Sequence, residues 1–163
     1  MRKIPLIALL SSLVLTEPMI AMAATTTVTE QQKAALETVR REVRLRNFER
    51  AVALLKPLAQ SGNAEAQYML ASFYRAGRGV QKDEQRAAHW LQKAADQGHD
   101  KASFTLARLY ESGRGVEKDT AEAQRLIQQA ASAGHTQALK QLDPDAVADE
   151  QRQTAQKLNL AAK

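Results

Sequence analysis

Cysteine is absent from the whole 163-residue chain. No disulfide can staple the fold, and no thiolate is available to hold a metal or attack a substrate. Aromatic residues are scarce at 4%, and much of the 44% hydrophobic share is alanine. Alanine is the strongest helix former, whereas strands favour β-branched and aromatic side chains, so the composition argues for closely packed helices. Histidine occurs only as His89, His99 and His135, with no HxxxH or HxxE spacing. Metal ligation needs several ligands converging, which this pattern does not offer. The few serines lie outside any G-x-S-x-G elbow. The expectation is a protein that is not an enzyme, with no catalytic residues, no metal and no cofactor.

The apolar stretch Ile4–Leu15 is too short for a membrane span, which needs about 20 residues. It follows Arg2 and Lys3 and precedes Ala21-Met22-Ala23, with small residues at the −3 and −1 positions before Ala24. This is the pattern of a secretory signal peptide cut after Ala23. Glu17 and Pro18 argue against a retained anchor, and no cysteine follows the cut to carry a lipid. Residues 1–23 are thus expected to be a signal peptide and 24–28 a flexible lead. The mature chain is expected to be soluble, exported to the periplasm or secreted, with no stable membrane insertion. Removing Arg2, Lys3 and Glu17 lowers the formal charge from +5 to +4. That modest excess favours solubility and attracts anionic partners, and it does not point to nucleic acid.

What the chain does have is an internal repeat. "AGRGVQKD", Ala76–Asp83, returns 36 residues later as "SGRGVEKD", Ser112–Asp119, and 16 of 36 positions match between Ala64–His99 and Asp100–His135. Self-similarity at this period is the signature of stacked helical units. Ala66, Leu70, Phe73 and Tyr74 fall on one helical face, and Gly77 stands where that helix should stop. Asp83 and Asp119 are good N-cap residues for a second helix, with Glu122 completing a capping box after Asp119. The face Ala87, Trp90, Leu91, Ala94 and Ala95 then turns inward, and Gly98 ends the unit. A phosphate loop needs a strand before its glycines and a full GxxxxGK[ST] or GxGxxG. Here a helix precedes Gly77 and Gly79, so the octamer reads as a turn, with Val80 folding back over the helix ends.

These residues resemble the Sel-one-like repeat family, relatives of the tetratricopeptide repeats. The family pattern A-x-x-x-L-x-x-x-Y-x-x-G-x-G-V, then A-x-x-W-x-x-x-A-A-x-x-G, is matched by Ala66, Leu70, Tyr74, Gly77, Gly79, Val80, Ala87, Trp90, Ala94, Ala95 and Gly98. In the second copy Ala102, Leu106, Tyr110, Gly113, Gly115 and Gly134 keep their places, and Leu126 replaces Trp90. The resemblance implies an all-α, right-handed α-solenoid of antiparallel helix pairs and a role as adapter or scaffold. Repeat one is placed at 63–99 and repeat two at 100–135. Ala51, Leu55, Ala59 and Gly62 stand at the offsets of Ala87, Leu91, Ala95 and Gly98, so 29–62 reads as a degenerate first unit. Thr136–Leu142 begins a third repeat. Asp143-Pro144 then opens a C-terminal capping helix, making 136–163 a partial repeat plus cap.

Binding surface is expected where the first helices of the pairs line a concave face. Opposite the core stripe stand Glu65, Tyr68, Ser72 and Arg75 in one unit and Lys101, Phe104, Arg108 and Glu111 in the next, each set on one helical face. Tyr68 and Phe104 are either anchors for a partner or rings packed between neighbouring helices. The run Arg40, Arg41, Arg44, Arg46 and Arg50 either meets an anionic partner or forms a solvated helix face. Arg78 and Arg114, between the turn glycines, are further candidates for an anionic partner. His99 and His135 follow helix-ending glycines and align with Asn63, so they are expected to begin helices. The functional expectation is a monomeric, non-catalytic protein-binding adapter of the bacterial cell envelope. The alternatives are an electrostatic binder of an anionic envelope polymer and an inhibitor or regulator of a cell-wall enzyme.

Overall fold

The computed structural model describes the backbone of residues 17–143 and the side chains of residues 30–143. Most of the signal-peptide segment and the capping helix expected after Asp143 lie outside the described residues. Among the described residues the chain forms helices and no strands, in the order α1 (Glu17–Arg44), α2 (Phe48–Gln60), α3 (Ala64–Ala76), α4 (Glu84–Ala95), α5 (Asp100–Ser112), α6 (Thr120–Ser132) and α7 (Thr136–Leu142). Each helix packs most heavily on its neighbours in sequence, α3 on α4 and α5 on α6 above all. The result is an all-α solenoid, the arrangement in which units share a continuous core only by stacking.

The core follows the repeat. Leu55, Leu70, Leu91, Leu106 and Leu126 are fully buried, each contributing about 1.5–3 kcal/mol by leaving water. Between them lie Ala51, Ala66, Ala87, Ala94, Ala102 and Ala130, also fully buried. Alanine lets neighbouring helices approach closely, and this explains the composition. Trp90 is partly buried and packs against the core at the edge of the inward face, with Lys93 Nζ 4.8 Å from its ring centroid. The fully buried face of α4 is made of Ala87, Ala88, Leu91, Ala94 and Ala95. Leu126, its counterpart, is fully buried in α6.

Turn chemistry decides where the helices stop. Gly77 and Gly113 are left-handed C-caps, at φ 65° and 68°, as expected. Gly98 does not cap α4 directly: the helix ends at Ala95 with Asp96 as C-cap, and Gly98, at φ 80°, forms the turn into the next unit. Gly79 and Gly115 serve another purpose. A Cβ on Gly79 would strike the backbone of Phe48 and Glu49, and one on Gly115 the backbone of Glu84 and Gln85. Each turn therefore sits directly on the start of the second helix of the preceding unit. Side-chain amides add further stitches: Gln97 Nε2 donates to Gln67 Oε1 at 2.8 Å within the 63–99 unit, and Gln129 Nε2 to the Ala95 carbonyl at 2.6 Å between that unit and the next.

Two further details differ from the sequence reading. Helix α1 begins at Glu17, so positions 24–28 continue the helix that was expected from Glu30. Asp119 caps α6 by accepting from the N–H groups of Ala121 and Glu122, but no reciprocal capping box forms. The Glu122 carboxylate is taken by Arg125, and the Asp119 N–H donates to the Tyr110 carbonyl.

Candidate interaction groove

The face assembled from α3, α5 and the start of α7 carries a groove of about 730 Å³. Tyr68 and Arg75 come from α3, and Lys101, Phe104, Thr105 and Arg108 from α5. The turns supply Lys82 and Arg114, Glu84 stands at the start of α4, and His135 and Gln137 stand at the start of α7. Five of the eight residues expected on this face line the groove. Glu65, Ser72 and Glu111 do not. Ser72 lies in an adjoining notch and donates to the Tyr68 carbonyl. Glu111 accepts from Gln141 Nε2 at 3.4 Å.

The two rings are built into the scaffold. Tyr68 stacks on His99 with centroids 4.9 Å apart, and Phe104 on His135 at 4.5 Å. Phe104 is only 8% exposed. Of the two readings of these rings, packing between neighbouring helices holds for Phe104. It offers the groove an edge rather than a free anchor. Tyr68 is half-buried and stays on the groove wall.

The histidines begin helices as expected. His99 Nδ1 accepts the Ala102 N–H at 3.2 Å, and His135 Nδ1 accepts the Ala138 N–H at 3.3 Å. With Nδ1 an acceptor, the proton of the neutral ring resides on Nε2. In His99 that Nε2–H donates to Glu65 at 3.0 Å, and Arg40 reaches the other Glu65 oxygen at 3.4 Å. The hydrogen bond from His99 is the main reason the Glu65 carboxyl titrates below its ordinary value, with Arg40 adding to it. Repeat two has Lys101 where repeat one has Glu65. His135 Nε2 accordingly has no partner among the described residues and lines the groove.

On the opposite helices Arg86 is paired with Asp83 and Arg125 with Glu122, whereas Lys56 and Lys93 have no ion-pair partner among the described residues. In the groove Lys82 is held by Glu84 at 3.1 Å. Arg75, Lys101 and Arg108 have no ion-pair partner among the described residues and are exposed. Arg114 Nε donates to Ser112 Oγ. Among the described residues no three His, Cys, Asp or Glu side chains converge as a metal site.

The basic N-terminal run folds differently from a free cationic stripe. Arg41 and Arg50 lie 3.8 and 3.7 Å from Glu42, which is 5% exposed and also accepts from Asn47. Arg40 is taken by Glu37 and Glu65. Arg44 and Arg46 are exposed, and Arg78 lies 5.6 Å from the Phe48 ring centroid. Sequence reasoning missed the role of Glu42, although an acid inside the arginine run was the available signal.

With this geometry in place, the comparisons with known proteins are informative. The Sel1 repeat model matches residues 44–63, 64–99 and 101–135, more than half of the chain. The chain belongs to the Sel1 repeat family. Sel1 repeats generally mediate protein–protein interaction. The first matched segment overlaps the degenerate unit expected at 29–62 and ends one residue beyond it. A Sel1 repeat protein from Oxalobacter formigenes has a similar crystal structure, with TM-score 0.61 and 33% identity over 64% of this chain and 43% of that one. A second is c5321, a protective antigen present in uropathogenic Escherichia coli strains and displaying an SLR fold. Its TM-score is 0.61 at 28% identity, over 69% of this chain and 26% of that one. This chain thus spans less than half the length of either. Cysteine rich protein B of Helicobacter pylori is similar in fold, with TM-score 0.55 and 20% identity over 68% of this chain and 94% of that one. No curated protein matches the chain significantly.

Proposed function

We propose that this Sel1 repeat protein is a non-catalytic adapter of the bacterial cell envelope, exported by a signal peptide cut after Ala23, that holds a protein partner on its concave face. The observation that carries the reading is the groove across α3, α5 and α7. It gathers Arg75, Lys101 and Arg108, all without ion pairs among the described residues, around a single carboxylate, Glu84, that is already engaged by Lys82. A stacked solenoid changes shape little on binding, so the groove is a preformed surface and ordering costs stay low. The protein acts as a monomer, each copy presenting one groove.

Photo-cross-linking in intact cells tests this. A photoreactive residue at Arg75 or Arg108 is expected to give a discrete adduct with an envelope protein, and one at Gln85 or His89 on α4 is not. Equal adducts from both faces, or none from the groove, would remove the reading. N-terminal sequencing of the exported protein checks the cut, with Ala24 the expected first residue.

We favour this reading over the anionic-polymer alternative because Glu37, Glu42 and Glu65 hold Arg40, Arg41 and Arg50 of the arginine run, leaving Arg44 and Arg46 exposed.

A further inference from the structure

Two concavities meet at Tyr68. One is the cationic groove. The other is a notch of about 210 Å³ between the end of α1 and α3, walled by Val43, Met69, Phe73 and Ala76 and closed by Ser72 and Arg78. The notch is apolar and sized for one large aliphatic or aromatic side chain, the kind of pocket that anchors an interface residue. The groove beside it presents Arg75, Lys101 and Arg108 without ion-pair partners, Arg114, and the open Nε2 of His135. Against these stands a single carboxylate, Glu84, already engaged by Lys82.

We infer that the occupant is a short acidic segment of a partner protein, with one apolar residue seated in the Val43–Phe73 notch and carboxylates against Arg75, Lys101 and Arg108. This rests on the groove being the binding site. Carboxylates fit because guanidinium groups take them through two parallel hydrogen bonds, and because the groove is uncompensated in charge. A protein segment is favoured over a long anionic polymer on two counts. A polymer gains from a continuous cationic track, and the track is broken at α1, where Glu37, Glu42 and Glu65 hold Arg40, Arg41 and Arg50. A repeating anionic chain also has no use for an apolar notch.

The exchange of Glu65 for Lys101 between the two repeats creates this site. Glu65 closes its own unit by accepting from His99. Lys101 reverses the charge and leaves His135 Nε2 open to a ligand.

The test uses the purified protein and fluorescent twelve-residue peptides. The reference peptide carries one Leu followed by four Glu. Its variants replace Glu by Gln, or Leu by Ser, and inorganic polyphosphate serves as the polymer probe. The reference peptide is expected to bind with an affinity that falls steeply with salt. The Gln variant should bind at least about tenfold more weakly, and the Ser variant measurably more weakly. Lys101→Glu/Arg108→Glu should abolish binding. Arg44→Glu/Lys56→Glu, which removes as much charge outside the groove, should leave it intact.

Equal binding of the Gln peptide overturns the acidic assignment. If Tyr68→Ala still weakens that binding, the groove reading survives. Equal loss from the Arg44/Lys56 reversal overturns both readings. Polyphosphate binding that exceeds the peptide's and is indifferent to the groove reversals overturns the choice of a protein segment. Both double variants place charges at exposed positions, and circular dichroism confirms that they fold.

Discussion

The rings of Phe104 and His135 lie 4.5 Å apart and within 24° of parallel. Tyr68 and His99 repeat the arrangement at 4.9 Å and 25°. In both cases the first helix of one unit supplies the aromatic ring, and the residue opening the first helix of the next unit supplies the imidazole. The pair links neighbouring units and at the same time fixes the ring that caps the following helix.

Replacing the capping histidines separates their two roles. His99→Ala removes the acceptor for the Ala102 N–H, the stack on Tyr68 and the bond to Glu65. It is expected to cost about 1–3 kcal/mol in urea denaturation. His99→Asn should cost less, since Asn63 fills the equivalent position and caps α3 through the Ala66 N–H at 2.9 Å. Equal losses for the two variants would show that capping matters little here.

Acid reaches Glu65. Its carboxyl is lowered from its ordinary value of 4.5 by the hydrogen bond from His99. A lowered folded value means that its contribution is complete above the unfolded value and disappears as pH falls through the folded one. The loss therefore belongs below pH 4.5, and Glu65→Gln should flatten the pH–stability curve in that range. Glu122, lowered by its hydrogen bonds from Arg125, acts with the same sign.

The glycines are expected to fall into two ranks. Gly79→Ala and Gly115→Ala combine a positive φ with a collision against the preceding helix and should cost about 3 kcal/mol or more each. Gly98→Ala meets open space and bears only the φ strain, about 1 kcal/mol. Chemical denaturation of the three variants orders them.

Tyr68 and Phe104 are unequal targets. Phe104→Ala empties a buried site and should lower stability by about 3–5 kcal/mol, so lost partner capture in that variant reports unfolding as readily as binding. Tyr68→Ala, at a partly buried position, should cost less in the same denaturation assay. Partner capture is better probed at Lys101 and Arg108.

The frame of the solenoid was legible because it depends on what the repeats share. Leu70 and Leu106, Gly77 and Gly113, Asp83 and Asp119 occupy equivalent places and perform equivalent tasks. The groove was only half legible, because it depends on where the repeats differ and on contacts across units. Tyr68 meets His99 and Phe104 meets His135 across the same separation of 31 positions. That separation is visible in the sequence, but whether the rings touch is decided by how one unit stacks on the next. The arginine run was read as a candidate patch because a helical wheel does not reveal that Glu42, Glu37 and Glu65 fold in among those side chains.

The seating of Gly79 on the start of α2, and of Gly115 on the start of α4, gives the stack a polarity. Each turn requires a seat that lies earlier in the chain. During synthesis the N-terminal part emerges first, so every turn leaving the ribosome finds its seat already made. The solenoid can consequently be completed in the order in which it is translated, without waiting for any later segment.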